Sequence, residues 1–377
     1  MEYYKKIGSL LCGMMLMMQS CVTNNLDDCP DAVRYALAFE YTLHTTENSR
    51  DRFYDEVDKM YVYVFDAITK ECAYVDTLSL LAPFEDDFVY PLSLNVGKYD
   101  IIVWGWGRNP GDQSLKMSTA IVPTIVPGRT SIDDARLQLE ESIGGICDGR
   151  LEKIFYSERR NVDISAFVSR IDTLPLMNIS NEIRIVIPDA IATSAMWKDI
   201  EISITGDDGA YLFNSLSRAA IVEDSYSNEG YFKSGNNAPD IAASRGSVTY
   251  LPYKTYYTDR ILEADPIYLR EPYRAVGDSM LIAEISTLRL VQDNRTMEVV
   301  VKWNDTNGNS ITKKLPLLEL LQEAIVYYEG GKIQYNLDRY HRWEITINLT
   351  DASMTATVSV MDWHRKPLPG EIGGILQ

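Results

Sequence analysis

The chain has 377 residues, 46% apolar and 24% charged, a composition that excludes a disordered or fibrous chain and leaves room for two domains of ordinary size. Its formal charge is −18, and −19 once residues 1–20, which carry Glu2, Lys5 and Lys6, are set aside. An acidic body of this kind repels nucleic acid and anionic membrane surfaces. No nucleic-acid partner is expected, and any membrane attachment has to come from lipid.

The first element is an apolar run. As a helix, residues 7–18 would rise about 18 Å, well short of the ~30 Å hydrocarbon core, which argues against a permanent transmembrane helix. Lys5 and Lys6 precede the run and the small Ser20 follows it, the layout of an export signal over residues 1–20. "MMQSC" looks like a lipobox, in which Cys21 is acylated and becomes the new N-terminus; Met18 and Gln19 depart from the usual Leu and Ala or Ser. An ordinary signal with an incidental Cys is the alternative. Residues 21–32 then read as a tether.

With Cys12 removed and Cys21 acylated, Cys29, Cys72 and Cys147 remain. There is no CxxC and no Cys/His cluster, so neither a metal nor another cofactor is expected. Oxidising surroundings permit one bridge. Antiparallel pairing of a strand beginning near Val33 with one ending near Asp66 would bring Cys29 and Cys72 together and leave Cys147 outside the bridge.

Beyond the tether, alternation with period 2 dominates. "VRYALAFEYTL" puts Val33, Tyr35, Leu37, Phe39, Tyr41 and Leu43 on one face. "MYVYVFD" (60–66) and "KYDIIVWGWG" (98–107) are apolar on both faces, as buried strands are. "ARLQLE" (135–140) turns Leu137 and Leu139 inward, and a first β-sandwich is expected over 33–160. In the second part, "NEIRIVIP" (181–188) aligns Ile183, Ile185 and Ile187. Residues 199–213 read as a hairpin around "GDDG", and 297–315 as another around "DTNGN". Strands 343–349 and 355–363 close a second sandwich, 161–377, with a long polar loop around 217–247. "LPLLELLQEAIVYY" has Leu315, Leu318, Leu321 and Ile325 at helical spacing, with Pro316 suited to a first turn. The fold class is all-β: two tandem sandwiches of transthyretin-like or Ig-like type, with one short helix in the second.

Catalytic patterns are absent. His44, His341 and His364 stand far apart in sequence and read as surface or strand-edge residues. There is no G-x-S-x-G, HExxH, P-loop or GxGxxG. Acid pairs such as Asp86-Asp87, Glu140-Glu141 and Asp207-Asp208 lie on neighbouring positions that face apart or sit in turns, not across a cleft. "NDTNGN" (304–309) lacks the downstream Glu of a calcium loop. Trp104 and Trp106 share one strand face, where they pack an edge or form an aromatic platform for sugars.

Taken in order, "MMQSC", "DDCP", "VRYALAFEYTL", "DRFYDEVDKMYVYVFD", "VGKYDIIVWG", "GRLEKIFYSE", "LPLMNISNEIRIVI", "GAYLFNSL", "VTYLPY", "AEISTLRL", "KLPLLELL", "YNLDRYHRWEITINL" and "VSVMDWHRKP" resemble the FimB-type fimbrial anchor and minor-subunit lipoproteins of Bacteroidales, which build type V pili. The resemblance runs from about Asp27 to Lys366. It implies two transthyretin-like sandwiches, an acylated Cys21 and no enzymatic activity. The implied role is a lipid-anchored subunit that holds a fimbria at the outer membrane, limits its length, and meets stalk or accessory subunits by strand addition. "VMDWHRK" departs from the "NGW" found in many relatives. The tail "PLPGEIGGILQ" is a candidate insert for a partner, or a frayed terminus. Three triplets, Asp76-Thr77-Leu78, Asp172-Thr173-Leu174 and Asp278-Ser279-Met280, match the O-glycosylation pattern of that order. The alternative function is a surface lipoprotein that binds glycans through Trp104 and Trp106.

Overall fold

The computed structural model describes residues 35–42, 51–79, 88–107, 115–140, 145–165, 170–188, 200–207, 209–213, 247–258, 280–288, 290, 297–304, 307–322, 325–328, 331–334, 341–349 and 354–360. Cys21, Cys29, His44, His364, nearly all of the expected 217–247 loop and the tail lie outside these residues.

The first half supplies β1 (Tyr35–Glu40), β2 (Val57–Asp66), β3 (Cys72–Ser79), β4 (Val89–Leu92), β5 (Gly97–Gly107), β6 (Met117–Ser118), β7 (Ala120–Ile121), β8 (Arg136–Leu139), β9 (Ile146–Cys147), β10 (Arg150–Leu151), β11 (Ile154–Ile164), β12 (Arg170–Pro175) and β13 (Met177–Asn178). The second supplies β14 (Ser180–Pro188), β15 (Glu201–Gly206), β16 (Ala210–Leu212), β17 (Val248–Tyr250), β18 (Lys254–Thr258), β19 (Met280–Leu288), β20 (Glu298–Asn304), β21 (Ser310–Pro316), β22 (Ile325–Tyr328), β23 (Gly331–Gln334), β24 (Arg342–Leu349) and β25 (Met354–Val360). Only two short helices occur among the described residues, Phe53–Glu56 and Leu317–Gln322.

Alternation along β1 buries Tyr35, Leu37 and Phe39 with Tyr41 just beyond, as the sequence pattern requires. β1 sits between β12 and β4 in one sheet, which packs on the five-stranded sheet β13-β11-β5-β2-β3. Tyr41 meets the edge of Phe155 across the two layers at 4.9 Å between ring centroids. β1 therefore pairs with β12 in parallel and with β4 antiparallel, whereas β2 pairs with β3 and β5. The expected β1–β2 pairing, and with it the register argument for a Cys29–Cys72 bridge, fails because the two strands belong to opposite layers.

The second half has the same two-layer plan. The sheets are β18-β19-β14-β24-β25 and β21-β20-β15-β17-β9. Ile183, Ile185 and Ile187 of β14 are buried, and the Leu288 backbone N–H donates to the Tyr250 hydroxyl at 3.5 Å across the layers. The 297–315 hairpin forms as β20–β21, with Gly308 at φ +83° in its turn, a conformation that favours glycine. β24 and β25 also pair as expected.

Three sequence expectations change. The boundary expected at residue 160 falls inside β11, and the chain passes from the sheet of β13 to the sheet of β14 between Asn178 and Ser180. The helix stops at Gln322, since Leu315 belongs to β21 and Ile325 to β22. Residues 199–213 make no hairpin. β15 pairs with β17 and β20, while β16 crosses over to pair with β8 of the first half.

That crossing interlocks the halves. β9 in return pairs in parallel with β17, adding a first-half strand to a second-half sheet. Phe213, beyond the end of β16, is 0% exposed and packs on Tyr63, Trp104 and Phe65 at 5.3, 5.5 and 6.2 Å between centroids. Arg160 donates to the Phe213 carbonyl at 2.8 Å and pairs with Glu158, whose carboxyl burial pushes up against the opposing pull of Arg160. One hydrophobic cluster consequently runs through both halves.

The first sandwich also has a direction. The start of β1, the β2–β3 hairpin and the β4–β5 turn share one end, since Tyr35 pairs with Leu92 and Asp66 with Tyr99. At the other end β13 pairs with the beginning of β11 and leads into β14. Phe213→Ala is expected to lower unfolding free energy by about 3–5 kcal/mol, with both halves losing stability in one denaturant transition. Two separate transitions in the wild type would show independent halves.

Candidate assembly surfaces

A sheet edge presents unpaired backbone donors and acceptors, so the edges are where another chain can add a strand. The outer strands of the first sandwich are closed by side chains. Tyr90 of β4 donates to Asp76 of β3 at 2.6 Å and lies 2.9 Å from the Tyr74 hydroxyl, which joins the outer strands of the two layers. Burial, then the Asp76 and Tyr74 hydrogen bonds, push the Tyr90 phenol far up. On β12, buried Asp172 accepts from Tyr35 at 2.7 Å and pairs with Arg170 and Arg159. The β3 and β12 triplets place Thr77 and Thr173 at exposed positions; Asp278-Ser279 lies outside the described residues.

β21 is different. It is seven residues long, pairs with β20 alone, and is exposed except at Ile311 and Leu315. Register with Trp303, Val301 and Val299 puts Ile311, Lys313 and Leu315 on the core-facing side. An exposed lysine on that side guards an edge against indiscriminate strand addition, because a new apolar strand would have to bury its charge. Lys314 beside it is held by Glu298 at 2.6 Å.

A charged network marks the junction. Arg150 makes a two-pronged contact with Glu182, which Arg342 approaches at 3.3 Å. Arg184 pairs with Glu284 at 3.3 Å and Glu344 at 3.6 Å. Arg150, Glu182, Arg184, Glu284, Arg342 and Tyr253 line a groove of about 160 Å³. Burial, then Glu182 and Glu284, push the Tyr253 phenol up. Sequence reading missed this network; its signal was Glu182 and Arg184 alternating with the isoleucines of β14.

The expected site residues fare unevenly. Cys21 and Cys29 lie outside the described residues. Cys72 is buried in β3, its thiol 3.5 Å from the Tyr74 carbonyl, and burial pushes the thiol up to about 11. Trp104 and Trp106 are 0% and 8% exposed, Trp104 covered by Tyr156 and Phe213 and Trp106 meeting Tyr61. Neither offers a ring face to a sugar, so the aromatic-platform expectation is corrected: both faces of β5 are core. His341 is likewise buried rather than at the surface. No group of three or more metal-ligating side chains occurs among the described residues.

Residues 26–365 match the model of the fimbrillin-A associated anchor proteins Mfa1 and Mfa2. The chain belongs to this family. Its role is therefore fimbria-associated. No curated protein sequence matches the chain. Among solved structures it is similar to a proposed polysaccharide binding protein from Bacteroides thetaiotaomicron VPI-5482, at 18% identity over 89% of this chain and 98% of that one, TM-score 0.60. A proposed adhesin from Bacteroides ovatus is 16% identical over 84% and 89%, TM-score 0.56. The fimbrial anchor protein Mfa2 from Porphyromonas gingivalis is 14% identical over 86% and 94%, TM-score 0.52. At these identities the structures establish the shared fold alone.

Lys313→Val should convert β21 into an unguarded edge. Sedimentation velocity is expected to show concentration-dependent self-association of that variant and a monomeric wild type; a monomeric variant would remove the guard role.

Proposed function

We propose that this member of the fimbrial anchor family is a lipid-anchored anchor or accessory subunit. It attaches a fimbria to the outer membrane through acyl chains on Cys21 and joins stalk or accessory subunits by strand addition. The observation that carries the reading is the direction of the first sandwich: the chain enters β1 at one end, and the second half is attached at the other. A pull on the Cys21 side loads β1 along its axis, against six paired positions on β12 and four on β4. Those ladder bonds share the strain and have to yield together. One acyl chain holds a protein only marginally, whereas two hold it stably, so the tether supplies the membrane end of the link. A subunit fixed to the membrane has no route onward into the shaft, and growth beyond it is limited by its presence.

Attachment needs no turnover, so the function proposed is non-enzymatic. The long exposed edge β21 supports strand addition, with Lys313 favouring a partner segment that brings an acidic or polar residue to that position. The glycan-binding alternative loses the two residues it named.

Cys21→Ala tests the reading. Metabolic labelling with a fatty-acid analogue is expected to mark the wild type and not the variant, and the variant is expected in the medium with shed fimbriae. An unlabelled wild type released into the medium would overturn the anchoring.

A further inference from the structure

Six large aliphatic side chains stand exposed among the described residues: Ile68, Val89, Val96, Val126, Ile146 and Ile171. Isolated exposed aliphatics are ordinary, but four of these six gather at one end of the first sandwich. Ile68, 81% exposed, tips the β2–β3 hairpin, and Val96, 58% exposed, tips the β4–β5 turn. Val126, at 40%, opens the turn that ends at Thr130, and Ile171, at 61%, is the second residue of β12.

Backbone hydrogen bonds tie these turns together. The Ala67 N–H donates to the Lys98 carbonyl at 2.9 Å, Cys72 to Thr130 at 2.8 Å and Gly128 to Cys72 at 2.7 Å. Asp66 accepts from the Ile68 and Thr69 N–H groups, both at 2.8 Å, which fixes the Ile68 tip in place. Ile171 lies opposite Ala36, beside the point where the chain enters β1. Cys21 is 14 positions before Tyr35, a reach of at most about 50 Å fully extended.

We propose that this end of the first sandwich seats on a lipid bilayer, with Ile68, Val96, Val126 and Ile171 entering the boundary between headgroups and acyl chains. The proposal rests on the reading that Cys21 is acylated. The side from which the tether arrives selects lipid as the occupant. Charge selects the mode of contact. Lys70, Lys98, Arg129 and Arg170 lie near the tips, but Asp66, Glu71 and Asp163 are interspersed. Lys70 and Arg170 are already held by Asp100 and Asp172. The contact is therefore apolar and needs no anionic headgroup. It is weak alone, and effective because the tether keeps the local lipid concentration high.

The test uses the full-length acylated chain carrying Cys29→Ser, with an environment-sensitive fluorophore on Ile68→Cys, Val96→Cys or, at the opposite end of β4, Val89→Cys. The protein is reconstituted into phosphatidylcholine vesicles with and without brominated lipid. Blue-shifted emission and bromine quenching are expected at 68 and 96 and not at 89, with no strengthening when phosphatidylglycerol is added. Ile68→Asp is expected to cut quenching at position 96 by roughly threefold, since a carboxylate resists entering the boundary. Water-like emission at 68 and 96 on vesicle-bound protein would overturn the docking. So would equal quenching at all three positions, or quenching that requires the anionic lipid. Fatty-acid labelling of the same preparation reads the tether separately. A labelled chain with water-like tips refutes docking alone, whereas an unlabelled chain refutes the anchoring and, with it, the docking that depends on the tether.

Discussion

Phe213 leaves the second half of the chain and ends, fully buried, among Tyr63, Phe65 and Trp104 of the first. Fully burying a side chain of this kind contributes roughly 1.5–3 kcal/mol, and β16 and β9 add backbone pairing in both directions across the same junction. The halves cannot part without exposing a continuous core and breaking two ladders. Two sandwiches joined by a linker would swing and separate under tension; sandwiches interlocked in this way are built to move as one body.

The remainder of the molecule is arranged around that junction. Arg160 caps Phe213 from within the first half, and the Arg150–Glu182 pair fastens the start of β14 to β10. Partly buried ionic groups of this sort fix a geometry more than they stabilise it, because desolvation offsets much of their attraction. A fixed geometry is what the proposed link between a membrane and a fibre requires. The direction of the first sandwich follows from the same topology, with β1 beginning at one end and β14 departing at the other.

Much of the architecture was legible because it is periodic. Leu137 and Leu139, the three isoleucines of β14 and the β20–β21 hairpin all lie where alternation placed them. What was not legible was partnership. "GDDG" is a good local turn, but alternation does not say which strand Tyr211 will meet, and β8, more than 70 residues away, takes it in place of β15. The run around Leu315–Ile325 suits a helix and a strand about equally, and the fold divides it between them. Trp104 and Trp106 share a face as expected, yet nothing in their spacing shows that Tyr156, Phe213 and Tyr61 pack against them. The charged network arises from four separate strands, β10, β14, β19 and β24, and has no contiguous motif. The family, by contrast, was visible in the order of a dozen short stretches.

Mechanical continuity from β1 to the distal sheet is the claim on which this account stands, and single-molecule pulling reads it directly. Handles at the N-terminal side of β1 and at the C-terminal side of β25 should yield one cooperative rupture in which both sandwiches unravel together. Two well-separated force peaks, each releasing the length of one half, would contradict it.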